Sequence, residues 1–376
     1  MTADVIVAGL GAMGAAAAWQ LARRRVRVLG FDRFRPPHDR GSSHGGSRII
    51  REMAFEGPQY VPLVRAAYPL WAALEAEAAE PLLTLTGALY VGAPDSGIVA
   101  LSRASADAHG VAREDLTADD VRRRFPAFAP EPGMVGLLER HAGLLRPERC
   151  VDALLDAARR AGAELRGDEP VLEWTVRPGG GGITVRTSRG SYEAGGLILA
   201  MGSWMPEIFA GIGVRLEVER QVQHWFAPAR EGAILEPDRC PVHIWEDGDG
   251  VIFYTFPLLD GAVKCAVHHR GEITTADAVR RAVPAAEVAM ARAYLERFVP
   301  PAAGAHVRSA VCLYTNSPDG HFIVDRHPTH PAVVLINACS GIGFKFAPRI
   351  GEGAALLLLE GAGPADLLPF GLARFA

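Results

Sequence analysis

Lysine is almost absent from this chain of 376 residues: of its 39 Lys+Arg side chains only Lys264 and Lys345 are lysine. Arginine serves as well at a solvated surface, so a lysine that resists replacement is expected to need a compact point charge or an adjustable pKa. Cysteine is sparse too. Cys150, Cys240, Cys265, Cys312 and Cys339 are odd in number and widely spread, which argues against a disulfide scaffold and for a reducing compartment. Excess positive charge is missing: the formal net charge is −4, and no Lys/Arg cluster with interleaved aromatics marks a nucleic-acid footprint. Long apolar runs are missing as well. Residues 5–22 contain three spaced glycines and run into Arg23–Arg25, while Ala354–Leu359 is six residues long and ends at Glu360. Neither can span ~30 Å of hydrocarbon or act as a secretory signal. No His, Cys and carboxylate spacing suggests a metal site, and no internal repeat is visible. The expectation is a soluble, cytoplasmic protein with no membrane, metal or nucleic-acid partner.

Hydrophobic residues make up 49% of the chain and can fill a large core, and the length suggests two domains. The N-terminus reads as a nucleotide-binding unit. Asp4–Ala8 is a short β-branched run, followed by Gly9-Leu10-Gly11-Ala12-Met13-Gly14 and an alanine-rich helical stretch to about Arg24. A second apolar run, Val26–Phe31, ends at Asp32. Gly9 permits a tight turn, Gly11 lets a pyrophosphate approach the backbone, and Gly14 lets helix and strand pack closely. The helix N-terminus then faces the phosphates, and Asp32 accepts hydrogen bonds from a ribose.

Pro36–Ser47, rich in Gly, Ser and His, leads into Arg48-Ile49-Ile50-Arg51, and such a loop carries function more often than packing. Gly195–Gly202 reads as a buried strand approaching a cofactor from below. Gly143–Pro147 leads into a helix over Glu148–Ala161 and a strand near Glu164–Leu165, and the nucleotide-domain pattern returns at Ala332–Gly353. Val251–Phe256 and Gly261–His268 alternate like antiparallel strands, and Gly179–Gly182 reads as a hairpin turn. A βαβ unit interrupted twice fits an FAD enzyme better than a two-half NAD fold. The expected fold is α/β, or α+β overall. A Rossmann-type FAD-binding domain of residues 1–85, 143–214 and 318–376 interleaves with a substrate domain of residues 86–142 and 215–317, built on a mainly antiparallel sheet.

Several longer motifs, in order, carry a family resemblance over nearly the whole chain. They are Gly9–Gly14, Gly41-Ser42-Ser43-His44-Gly45-Gly46-Ser47-Arg48-Ile49-Ile50-Arg51, Thr86-Gly87 and Tyr254-Thr255-Phe256-Pro257. The most specific are Cys312–Asp319 with His321–Asp325, and Ser340-Gly341-Ile342-Gly343-Phe344-Lys345-Phe346. In these the chain resembles the monomeric sarcosine oxidase family, whose members include N-methyltryptophan oxidase and pipecolate oxidase. The resemblance implies FAD held covalently, by a thioether from Cys312 to the flavin 8α-methyl group. That chemistry needs a thiolate beside an electron-poor methyl group. Buried, inert packing is the ordinary fate of a free cysteine and is the reading for Cys150, Cys240 and Cys265; Cys339 sits just before the Ser340-Gly341 turn, where core packing is preferred over a place near the flavin.

By the same resemblance Lys264 stands over the flavin and assists its reaction with oxygen, because a fixed cation stabilises the negative charge that develops there. Lys345 and Arg51 clamp the substrate carboxylate. His44 and Arg48 lie beside the flavin ring and tune it. Tyr254 and His268 line the substrate cavity. His268 and His269 are expected on opposite faces of one strand, so only one can face the flavin. Gly9, Gly11, Gly14, Asp32, Ser43, Gly202, Gly341 and Gly343 complete the implied cofactor contacts. The implied activity is oxidation of the C–N bond of a small secondary amino acid by oxygen, giving imine and hydrogen peroxide, by a monomer. One departure stands out: Ile342 replaces a histidine usual in the family, which makes the site more apolar. A bulkier N-methyl amino acid, or a cyclic amino or imino acid such as proline, pipecolate or a biosynthetic intermediate, is then as plausible a substrate as sarcosine. A flavin dehydrogenase with another electron acceptor remains an alternative.

Overall fold

The computed structural model describes residues 2–177 and 181–375. Val5–Ala8, Val28–Phe31, Glu164–Arg166, Gly196–Leu199 and His330–Asn337 form the parallel strands of a six-stranded sheet, with Ile323–His327 added antiparallel at one edge. Val5–Ala8, Val28–Phe31 and Gly196–Leu199 are buried throughout, as expected where both faces of a parallel sheet are covered. Helices Ala12–Ala22, Tyr60–Ala78, Pro147–Arg160 and Ala347–Glu360 share one hydrophobic core with this sheet. Gly351 approaches the first of these so closely that an added Cβ would stand 2.5 Å from the Ala16 carbonyl carbon.

A second, nine-stranded sheet draws on Ala88–Gly92, Glu114–Thr117 and Val135–Glu139, and on six strands between Glu217 and Asn316. Its pairings are antiparallel except that Val242–Glu246 runs parallel to Ala88–Gly92, which ties the two stretches of chain together. The alternating runs fall on strands Ile252–Leu259 and Ala262–Val267. The second run thus ends one residue before His268. A three-stranded sheet of Arg48–Ile50, Gly143–Leu145 and Leu83–Leu85 sits at the junction. The turn expected over Gly179–Gly182 lies partly outside the described residues; the strands flanking it, Val171–Val176 and Ile183–Thr187, pair antiparallel. Among the described residues no single helix is long and apolar enough to cross a membrane.

Candidate active site

The glycine turn is shaped for close backbone approach. Gly9 has φ +88°, and a Cβ there would stand 2.4 Å from the Ala200 carbonyl oxygen. A Cβ on Gly14 would fall 1.7 Å from the Gly9 oxygen, so only glycine lets the helix start under the turn. Asp32 accepts from the backbone N–H of Leu10 at 2.7 Å and of Phe34 at 2.9 Å, which pins the turn to the end of the second strand. Ser43 Oγ accepts from Ala12 N–H at 3.2 Å and closes the helix start from above. Gly9, Gly11, Asp32, Ser43 and Gly202 border one elongated cavity. Gly11, Ser42, Ser43, Ala200 and Gly202 also border a second cavity between the two large sheets.

That second cavity gathers Arg48, Arg51, Tyr254, Lys264, His268 and Cys312, with the Gly341–Lys345 turn. Gly14 lies behind the glycine turn, and His44 is buried beside the cavity without bordering it. The loop that delivers Arg48 is anchored by Glu148, whose carboxylate accepts from Gly45 N–H at 2.6 Å and Gly46 N–H at 3.1 Å. Burial disfavours the charge of Glu148, yet amide donors at its own helix start and at Gly46 and Gly45 hold its pKa below the usual value.

The Lys264 ammonium donates to Gly45 O at 2.9 Å and to Ser47 O at 2.6 Å, and Phe256 lies under it, 4.4 Å to the ring centroid. Burial, then the like charge of Arg48, push its pKa well below the ordinary lysine value. Arg48 donates to Ser47 O at 2.8 Å and Ser42 O at 2.7 Å, and its Nη2 stands 3.7 Å from Cys312 Sγ. Burial raises the Cys312 thiol pKa, while Arg48 and Lys264 pull it down. Those two cations offset part of that rise, and the thiol stays above its ordinary value. His44 is held down to about 4 by burial and then by Arg48, so it is a neutral imidazole near neutral pH, and its Nε2 has no partner among the described residues.

Arg51 and Lys345 meet at the same cavity, but not as a free pair. The Arg51 guanidinium is bound to the Glu56 carboxylate and to Met53 O, and packs over Phe55 at 4.5 Å to the ring centroid. Lys345 donates to Ile342 O at 2.9 Å. Burial, then Arg51, hold Lys345 down to about 7, with Glu56 and Glu139 opposing. The peptide after Arg51 is fixed by Glu139, which accepts from Glu52 N–H at 2.6 Å and Met53 N–H at 2.9 Å. Trp71 Nε1 donates to Lys345 O at 2.8 Å and fixes the turn on the other side.

Tyr254, His268 and Tyr314 form the remaining polar wall. His268 Nδ1 and the Tyr314 hydroxyl are 3.2 Å apart, and burial, then His269, depress His268 to about 3. His269 points elsewhere, to Glu219 at 2.8 Å. The cause is not strand alternation. The strand has ended at Val267, and His269 turns away with φ +58°. A Cβ on Gly341 would stand 2.7 Å from both His268 Cε1 and Tyr314 Cε2, so the turn carrying Ile342 needs glycine there. Cys339, read above as core packing, instead borders the cavity and is half-buried. Glu56, Glu139, Glu148 and Tyr314 were missed as site residues. Tyr314 lay within a quoted motif, but the three carboxylates act through loop contacts that no spacing signals.

The donor set suits a flavin dinucleotide. A glycine-lined helix start, a fixed Asp32, two cavities with common walls, and a thiol under two cations match the parts of FAD in turn. Residues 4–357 match the family described as FAD dependent oxidoreductase, and the chain belongs to that family. It is an FAD-dependent oxidoreductase. Within the family it is 44% identical to the monomeric sarcosine oxidase of Streptomyces avermitilis over 96% of this chain and 94% of that protein. It is 35% identical to N-methyl-L-tryptophan oxidase of Salmonella agona over the whole of both. Among solved structures it is similar to the open form of NikD, an unusual amino acid oxidase essential for nikkomycin biosynthesis. The TM-score is 0.85 and the identity 26%, covering 98% of this chain and 97% of that one.

Proposed function

We propose that this enzyme oxidises the C–N bond of a small secondary amino acid, with oxygen as the acceptor, giving an imine and hydrogen peroxide. The observation that carries this reading is one cavity lined by two pairs of basic side chains, Arg51 with Lys345 and Lys264 with Arg48. The substrate carboxylate is held by Arg51 and Lys345, which takes up the entropy cost of orienting the reacting bond. FAD, when bound here, would supply the redox chemistry: it would accept the hydride of the C–H bond next to nitrogen, the amine losing its N–H proton as the imine forms, and two electrons with two protons would go on to oxygen as hydrogen peroxide. Tyr254 and His268 bound the reacting centre; His268 is a neutral imidazole at neutral pH, so it sets no positive charge beside the amine. Lys264 places positive charge where oxygen is reduced.

Ile342, Ile244 and Ile252 give the cavity an apolar wall, which favours a bulkier N-methyl or cyclic amino acid over sarcosine. An anaerobic screen of N-methyl and cyclic amino acids, read as loss of flavin colour, tests the substrate class. One peroxide released per substrate consumed separates an oxidase from a dehydrogenase. If no secondary amine bleaches the flavin, the reading fails.

Cys312 is the proposed covalent anchor, through a thioether to the flavin 8α-methyl carbon; its contact with Arg48 supports this. The acid-precipitated chain is expected to stay yellow, and Cys312→Ser to release all its colour into the supernatant. Sheet membership supports a division into an FAD-binding part (residues 1–85, 143–214 and 318–376) and a substrate part (86–142 and 215–317). Five free cysteines support a cytoplasmic location, and a cavity assembled within one chain supports action as a monomer.

Glu56 has a consequence for binding. Its carboxylate occupies the guanidinium that the substrate carboxylate needs, so the two compete. Glu56→Gln is expected to tighten binding of a simple non-reactive carboxylate such as acetate by about fivefold. Titration of the flavin spectrum measures it, and weaker binding in the variant would count against competition.

A further inference from the structure

Lys264 is walled in on the side away from the cavity as well. Trp225 is its direct cross-strand neighbour, and Arg308 is the neighbour of Trp225 on the next strand. Residues paired in this way share one face of the sheet, so the three form a row. The row runs outward: Lys264 is 3% exposed, Trp225 is 6% exposed, and Arg308 is open to solvent. The Arg308 guanidinium carbon stands 3.5 Å from the Trp225 ring centroid, and Lys264 Nζ stands 5.9 Å from it. Among the described residues Arg308 makes no salt bridge and no side-chain hydrogen bond, so its stack on Trp225 is the contact that orders it. Trp225 and Arg308 do not border the cavity that Lys264 and Phe256 border.

We infer that Trp225, held down by Arg308, is a shutter that separates the Lys264 ammonium from solvent at this edge of the sheet. An ammonium has three N–H donors. Gly45 O and Ser47 O take two of them, which leaves one for a small acceptor arriving at Lys264. A charge kept dry acts more strongly than a hydrated one, so a closed shutter sharpens what Lys264 does electrostatically. Opening it admits water and small solutes. Trp225 and Arg308 are therefore positioning residues for Lys264. The inference rests on the proposed function only in the use made of that ammonium.

The scarcity of lysine makes the test direct. With Lys264 and Lys345 the only lysines, an amine-acylating reagent applied to the holoenzyme reports on each separately once the peptides are weighed by mass spectrometry. Arg308→Ala removes an exposed side chain and is expected to raise the acylation rate of Lys264 about threefold, the scale of one cation–π contact. Trp225→Ala should raise it by about tenfold or more, because the barrier itself is gone. Lys345 serves as the internal control and keeps its rate in both. Unchanged Lys264 acylation in Arg308→Ala, or an equal rise at both lysines, overturns the shutter. Reoxidation of the flavin by air is measured on the same proteins and on Lys264→Met. If acylation opens as expected while air reoxidation is unmoved even in Lys264→Met, the shutter stands and the oxygen role of Lys264 falls.

Discussion

Replacing Lys264 with methionine is expected to leave anaerobic bleaching of the flavin by substrate within about twofold, while slowing reoxidation in air by roughly 10²–10³-fold, the range for removing one fixed charge-stabilising donor. Lys264 makes its hydrogen bonds to Gly45 O and Ser47 O and Lys345 makes its own to Ile342 O, so the proposed acid clamp of Arg51 and Lys345 does not depend on Lys264. Its ammonium is fixed before reaction by two carbonyl oxygens and a phenyl face, so it needs no reorganisation when negative charge develops beside it. Burial and Arg48 depress its pKa, and an arriving negative charge pushes that pKa back up. Negative charge arriving beside Lys264 therefore favours its protonated form. Methionine has similar length and no charge, so it tests the charge without opening a cavity. Stopped-flow traces of the two half-reactions decide the matter, and equal losses in both would defeat the assignment.

Local geometry made the nucleotide site legible from sequence. The Gly9–Gly14 turn and Asp32 lie within one βαβ unit, where steric need and hydrogen bonding act over a few residues. Lys264 and Lys345 stood out because arginine has replaced lysine everywhere else. What was not legible depends on contacts distant in sequence or on loop shape. Glu139 reaches a peptide 87 residues away, and Glu148 one 103 residues away. Glu56 is close to Arg51 in sequence, but its pairing follows from the path of an irregular loop. Strand alternation is not what separates His268 from His269, since the chain leaves the sheet at Val267 and turns by positive φ. For Cys339 the preference for core packing came from burial statistics for cysteine, whereas the Ser340-Gly341 turn beside it brings it to the cavity wall.

The acid-binding end yields the other large effect. Arg51→Met alone would strand the Glu56 carboxylate beside Lys345, so the informative protein is Arg51→Met combined with Glu56→Gln. Loss of a buried, charge-assisted pair costs about 3 kcal/mol, so kcat/KM for an N-methyl amino acid should fall roughly 10²-fold against the Glu56→Gln parent. An N-methyl amine without a carboxylate should be hardly affected, because it never used the guanidinium. Selectivity between the two substrates therefore collapses, and a variant that lost both equally would refute the clamp. Lys345 adds a pH dependence of known sign. Its pKa in the free site is held to about 7, so the ammonium is present below that pH and is lost above it. Binding of an unreactive carboxylate should weaken as pH rises through about 7, and should be flatter over the same range in Lys345→Met. The groups facing Lys345 limit alternative explanations. Arg51 stays charged throughout, Glu56 is already ionised at that pH, and His268 at about 3 is neutral, but Glu139 at about 7 titrates in the same window. Ionisation of Glu139 adds negative charge near the clamp and weakens binding in the same direction. Glu139→Gln separates the two: if the slope survives there and disappears in Lys345→Met, the ammonium is its source.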